Sequence, residues 1–193
     1  MDAPALAIIE FGSIAVGTRA TDALVKKAPV RLERVGSFQP GRFAALFVGD
    51  VASVEESFVE GLRVGAEALL DRLMLPHVDP AVTAAALGAS TDWDGECFAV
   101  IESTTLSGVI EAADAAVKGA NVRLVQMRLG AGLGGKGLAH FAGDQVDIEA
   151  GVEIGVAKAR RHDRTICSSI IPRLDGDLRA ALSRGTRLFE GQD

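Results

Sequence analysis

The feature that most constrains what this chain can fold into is a segment carried twice. Residues 122–144, VRLVQMRLGAGLGGKGLAHFAGD, and residues 30–50, VRLERVGSFQPGRFAALFVGD, both open on Val-Arg-Leu and close on Gly-Asp. Each places a glycine and a basic residue on the far side of a turn, Gly41-Arg42 and Gly135-Lys136. The likeness continues outside these segments. Glu10 matches Glu102, Asp22 matches Asp114 and Lys26 matches Lys118 at a spacing of 92, and Asp50 matches Asp144 at 94, so the second turn is longer by two residues. Such a duplication predicts two alike units, 1–90 and 91–193, each of about ninety residues.

Within the first unit, residues 5–10 form a short branched apolar run that predicts a buried strand. A helix follows, capped by Ser13, with Ile14, Ala20, Ala23, Leu24 and Ala28 on its apolar face and Pro29 ending it. Residues 30–35 and 43–48 predict paired strands around the turn. Ser53 and Glu56 have capping-box spacing, and Val54, Phe58, Leu62 and Ala66 mark the inner face of a second helix. Residues 69–75 give the last strand, before Pro76. The order strand, helix, strand, strand, helix, strand is the α+β ferredoxin-like βαββαβ arrangement, present here twice in tandem. Between the copies, Asp79-Pro80 opens a short helix that Gly88 ends, and residues 91–95 read as a polar linker.

Gly130, Gly132 and Gly135 satisfy a dinucleotide-type spacing, and Gly130, Gly135 and Lys136 most of a P-loop. Both motifs need a helix to begin at the loop so that free N–H groups face phosphate. Here an apolar strand, residues 138–142, follows instead. Gly137 also stands where a P-loop needs Ser or Thr for magnesium, so a tight turn between strands accounts for the glycines.

The 48% hydrophobic content supports a real core, and no run approaches the length of a membrane span. The first residues lack a basic region leading into an apolar one, which argues for an unexported protein. A net charge of −6 without a basic run argues against nucleic acid. Cys97 and Cys167 are too few for a disulfide framework or zinc site and read as free thiols.

The residues resemble the tandem-domain bacterial microcompartment shell proteins, nearly end to end. The marks are the Asp-Ala-x-Val-Lys segments at 22–26 and 114–118, Ala-Asn-Val at 120–122, Pro-Gly-Arg-Phe at 40–43, Gly-Leu-Gly-Gly-Lys at 132–136, the paired Gly-Asp, and Ile-Ile-Pro-Arg at 170–173. The unpermuted element order looks most like the propanediol-utilisation type. The resemblance implies a homotrimeric, pseudohexameric structural tile in a shell in the bacterial cytoplasm. It implies a central pore for small metabolites, lateral contact with other shell proteins, and enclosed enzymes as further partners. Neither catalysis, membrane nor nucleic acid enters this expectation. The pore rim falls on Ser37, Phe38, Gln39 and Pro40 and on Gly132, Leu133 and Gly134, with the basic Arg42 and Lys136 beside it. The tile edge falls on Lys26, Lys118, His77 and Arg173. The propanediol type holds an iron–sulfur cluster through a rim cysteine, but Gln39 occupies that position, and an amide cannot replace a thiolate. No cofactor or metal is therefore expected. A ligand-binding regulatory trimer of ferredoxin-like repeats is the alternative function.

Plainer readings stand beside these. Lys26 and Lys118 at a helix C-terminus complement its dipole, an effect of about 0.3–1 kcal/mol. His77, His140 and His162 do not repeat and show no ligand spacing. Glu10 and Glu102 end buried strands without a nucleophile in company, as carboxylates facing the following helix. Trp93 in the linker reads as a packing anchor.

Overall fold

A computed structural model describes residues 5–93, 95–130, 132–160 and 164–184. His162 lies outside the described residues. The first unit runs β1 (Ala5–Phe11), α1 (Ile14–Lys27), β2 (Arg31–Phe38), β3 (Arg42–Gly49), α2 (Val51–Gly65) and β4 (Leu69–Leu75). After α3 (Pro80–Ala86), the second repeats the order as β5 (Cys97–Ser103), α4 (Leu106–Gly119), β6 (Arg123–Leu129), β7 (Gly137–Gly143), α5 (Gln145–Arg160) and β8 (Ile166–Ile171), with α6 (Gly176–Arg184) appended. Both sheets are antiparallel and ordered alike, β2-β3-β1-β4 and β6-β7-β5-β8. The duplication read from the sequence is thus a duplication of topology.

Register makes the equivalence residue by residue. Glu10 lies between Ala44 and Asp71, and Glu102 between Leu138 and Cys167. Every residue of β1 is buried, because helices cover one face of its sheet and the second unit covers the other. The core divides accordingly. Ala7, Ile9, Phe11, Leu24, Phe43 and Phe47 pack inside the first unit, whereas Leu6, Ile8 and Leu46 join a cluster that continues into Ile101, Leu106 and Ile110 of the second. The two units therefore share a hydrophobic seam.

Several helix signals hold. Ser13 accepts a hydrogen bond from the Val16 N–H, Asp79 from Ala81, and Gly88 ends the α3 segment at φ +96°. Others need correction. Asp50, not Ser53, caps α2; its carboxylate takes both the Ser53 N–H (2.9 Å) and hydroxyl (2.6 Å), so Ser53 is a donor within the first turn. Of the expected inner face of α2, Val54 is buried and Phe58 and Leu62 pack half-buried against the core, but Ala66 is exposed and the most buried positions are the small Ser57, Gly61 and Gly65. A methyl group on Gly61 would sit 2.8 Å from Ile9 Cδ1 and 3.2 Å from Leu24 Cδ2, so small residues are what let this helix close on the sheet. Ile14 is 45% exposed, whereas its repeat Leu106 is 4% exposed because the first unit covers it.

Candidate rim, seam and edge sites

The first rim segment is partly strand. Ser37 pairs with Phe43 and Phe38 with Arg42 at the end of the β2–β3 ladder, leaving residues 39–41 as the turn. The second turn closes on itself through Gly130 N–H to the Lys136 carbonyl (3.0 Å) and Leu133 N–H to the Gly130 carbonyl (3.2 Å). Its positive φ values at Gly130 (+74°) and Gly135 (+90°) favour glycine. A strand, β7, follows, as the rejection of a phosphate loop requires.

The two turns lie against each other. A methyl on Gly130 would be 2.8 Å from the Phe38 ring, and one on Gly135 would be 3.2 Å from the Gln39 carbonyl oxygen and 3.0 Å from an Arg42 nitrogen. Loops nearly a hundred residues apart in sequence thus form one continuous surface. Gln39, Pro40, Gly132 and Gly134 are exposed. Arg42 donates to the Thr104 carbonyl (3.3 Å), and Lys136 pairs with Glu102 at 3.3 Å. The basic groups are therefore at the turns' base and already partnered across the unit boundary or within it.

No thiolate stands in this rim. Cys97 is buried on β5, with its thiol pKa pushed up by burial, and Cys167 is exposed on β8. The residues present do not fit an iron–sulfur cluster. Among the described residues no group of three or more His, Cys, Asp and Glu could hold a metal ion.

The seam carries the chain's buried charge. Glu10 accepts from the backbone N–H groups of Leu106 (3.1 Å) and Ser107 (2.7 Å) and from the Ser107 hydroxyl (2.6 Å). The carboxylate thus faces the N-terminus of α4 in the other unit rather than the helix that follows its own strand, which corrects the sequence expectation. Burial raises its pKa, against the lowering by the three hydrogen bonds. Nearby, buried Arg164 forks onto Asp71 (2.7 and 3.0 Å) and the Arg72 carbonyl (2.9 Å) and also holds Glu111. Burial opposes its charge, yet the two carboxylates leave its pKa above the ordinary value. Sequence reading missed Arg164, Asp71 and Glu111 because none repeats; Cys167 occupies the place of Asp71 in the second sheet.

The four edge residues do not form one cluster. Lys118 donates to the His77 carbonyl and pairs with Asp114 (2.6 Å), whose other oxygen accepts the Asp79 N–H (2.8 Å). Lys26 pairs with Asp22 (2.6 Å), and Arg173 is exposed after β8. The single tryptophan, Trp93, packs 5.0 Å from Phe98 beneath the Arg179 guanidinium, which supports its reading as an anchor. His140 is buried against Phe98 and Gln126 Nε2 (2.8 Å), and burial, with Arg128 nearby, lowers its pKa to about 4.

Comparison with known proteins gives a consistent picture. A family model described as the BMC domain matches twice, at residues 5–78 and 97–174. The chain is 33% identical over 169 residues to the bacterial microcompartment shell protein PduT of Citrobacter freundii, covering 88% of this chain and 92% of that protein. The bacterial microcompartment shell protein EutM of Escherichia coli is 36% identical over 93 residues, 48% of this chain and 93% of EutM. A crystal structure of a microcompartment protein from Desulfitobacterium hafniense superimposes with a TM-score of 0.82 at 33% identity, covering 92% of this chain and 99% of that one.

Proposed function

The chain belongs to the BMC domain family of bacterial microcompartment shell proteins, and from that premise we propose that it is a structural tile. Three chains close into a pseudohexameric ring around a central pore that passes small metabolites, in a shell in the bacterial cytoplasm. The observation that carries this reading is the contact between the two turns, residues 36–42 and 130–136, at one end of the seam. If successive chains meet as the two units meet, six such turns surround one axis. Ser37, Phe38, Gln39, Pro40, Gly132, Leu133 and Gly134 then line the opening. Arg42 and Lys136 sit just behind it, where they bias passage toward anions.

His77, Lys118, Lys26 and Arg173 lie at the outer margin, where other shell proteins join and beyond which enclosed enzymes lie to one side. Its role is structural rather than catalytic, and no cofactor is part of it. Among the described residues no helix is long and apolar enough to cross a membrane. Electron microscopy of the purified protein tests the reading. Flat sheets of threefold rings with a central opening are expected without added ligand. Dispersed particles that bind one small molecule saturably and never assemble would instead favour a regulatory trimer.

A further inference from the structure

The seam inside the chain is a complete template for a second seam, and each half of that second seam is left open on one chain. Polar groups of the first unit that meet the second include Glu10, Arg42 and the His77–Asp79 turn. Their matches in the second unit are Glu102, Lys136 and the Arg173–Asp175 turn. Each of these has a weaker partner or none across a seam.

The receiving surface is open as well. Ser13 caps α1 as Thr105 caps α4, each by one bond to the third residue onward. The N–H groups of Leu106 and Ser107 end on Glu10, but those of Ile14 and Ala15, at the matching places, find no acceptor among the described residues. Beside them Ile14 is 45% exposed while its match Leu106 is 4% exposed, and Leu70, at the register shift of β4 against β1, is 46% exposed. Leu70 borders the same spot, its side chain 3.5 Å from where a methyl on Gly12 would lie. Farther along, Asp22 and Lys26 are mostly exposed, whereas Asp114 is buried against Asp79.

We infer that Glu102 of one chain caps the N-terminus of α1 in the next, accepting hydrogen bonds from Ile14 and Ala15. The occupant is a second copy of this chain, because that copy alone offers the matched set in the right order. On docking, Glu102 exchanges its half-exposed contact with Lys136 for the two backbone N–H groups, and Lys136 turns to the Gly12 carbonyl as Arg42 does to Thr104. Val100 and Leu138, half-buried on one chain and matching Ile8 and Ala44, receive Ile14. The Asp175 N–H and Arg173 carbonyl reach Asp22 and Lys26.

The two seams are not identical, and the difference predicts their order of strength. Ser107 adds a hydroxyl to Glu10, whereas Ala15 has none to give Glu102. The buried Arg164–Asp71–Glu111 cluster has Glu67, Cys167 and Arg19 at the matching positions, where Arg19 and Glu67 form one exposed pair and Cys167 offers no carboxylate. The seam between chains is therefore the weaker one, which makes its strength open to improvement.

This inference rests on the trimeric reading, and sedimentation equilibrium separates the two. Four proteins are compared: the parent, Glu102→Ala, Ala15→Ser, and both together, each checked for an unchanged circular dichroism spectrum. Losing about tenfold at each of three seams changes the trimer's dissociation constant by about a thousandfold. The half-dissociation concentration follows its square root and so rises about thirtyfold for Glu102→Ala. Ala15→Ser, which supplies the hydroxyl that Ser107 gives Glu10, lowers that concentration, and has no such effect once Glu102 is gone. A parent trimer with Glu102→Ala dissociating at the same concentration, or an Ala15→Ser gain that survives the loss of Glu102, overturns the pairing but leaves the trimer standing. A parent that is monomeric at every concentration overturns both.

Discussion

His140 couples the stability of the second unit to acid, and the size of the effect follows from its surroundings. Its matching residue in the first repeat is Leu46, so a titratable ring stands where the fold accepts an apolar side chain. Gln126 Nε2 points at Nδ1 from 2.8 Å, which holds that nitrogen as an acceptor, and burial with Arg128 nearby lowers the folded pKa to about 4 from 6.5. Between those values the unfolded chain binds the proton and the folded one does not, so stability is lost as pH falls. The gap of about 2.5 units, at 1.36 kcal/mol each, sets a limit of about 3 kcal/mol, with about 2 kcal/mol lost by pH ~5. Glu10 acts in the opposite sense: its raised folded pKa adds stability as pH falls toward 4.5. The assay must therefore be a difference. Urea unfolding at fixed chain concentration, followed by the fluorescence of Trp93, is run from about pH 7.5 to 4.5 on the parent and on His140→Leu. The variant leaves the Gln126 amide short of a partner, a cost of about 1–3 kcal/mol near neutral pH. It should regain about 2 kcal/mol relative to the parent by pH ~5. A difference that stays flat across this range would refute the assignment of the acid response to His140.

Three further outcomes are expected. Arg164→Met strands the Asp71 and Glu111 carboxylates in a buried seam and should cost about 3–5 kcal/mol in chemical unfolding; a loss under 1 kcal/mol would mean that the cluster is well hydrated. Arg173→Ala removes an exposed side chain whose backbone alone serves the seam, so it should suppress lateral sheets in electron microscopy while sedimentation shows the same oligomer. Arg42→Gln with Lys136→Gln should slow an anionic solute entering assembled shells more than a neutral one of equal size. Equal effects on both solutes would transfer selectivity to the width set by Phe38, Gln39 and Leu133.

Much of the fold was legible because it is written locally and written twice. The strand and helix order follows from period and from caps such as Ser13 and Asp79, and the repeat turns one reading into two independent ones. What escaped depends on contacts far apart in sequence. The small-residue face of α2 exists because Phe11, Ile9 and Leu24 already fill the space beside Gly61 and Gly65. Asp50 outcompetes Ser53 as cap because the strand delivers its carboxylate to the first turn, a matter of chain direction that spacing does not encode. The repeated carboxylates at Glu10 and Glu102 were visible, but not that the helix Glu10 serves belongs to the other unit. Arg164 left no signal at all, since a buried charge without a repeat resembles any surface arginine. The rim turns were placed correctly as turns, whereas their mutual contact required the seam.

The most direct test of the tile is the native mass of the purified protein across a wide range of concentration. A mass three times the 20.0 kDa of one chain, falling to the single chain only on dilution, is what the account predicts. A concentration-independent mass of 20.0 kDa would contradict it, because Glu102, Ile14 and Leu70 would then have no second chain to meet.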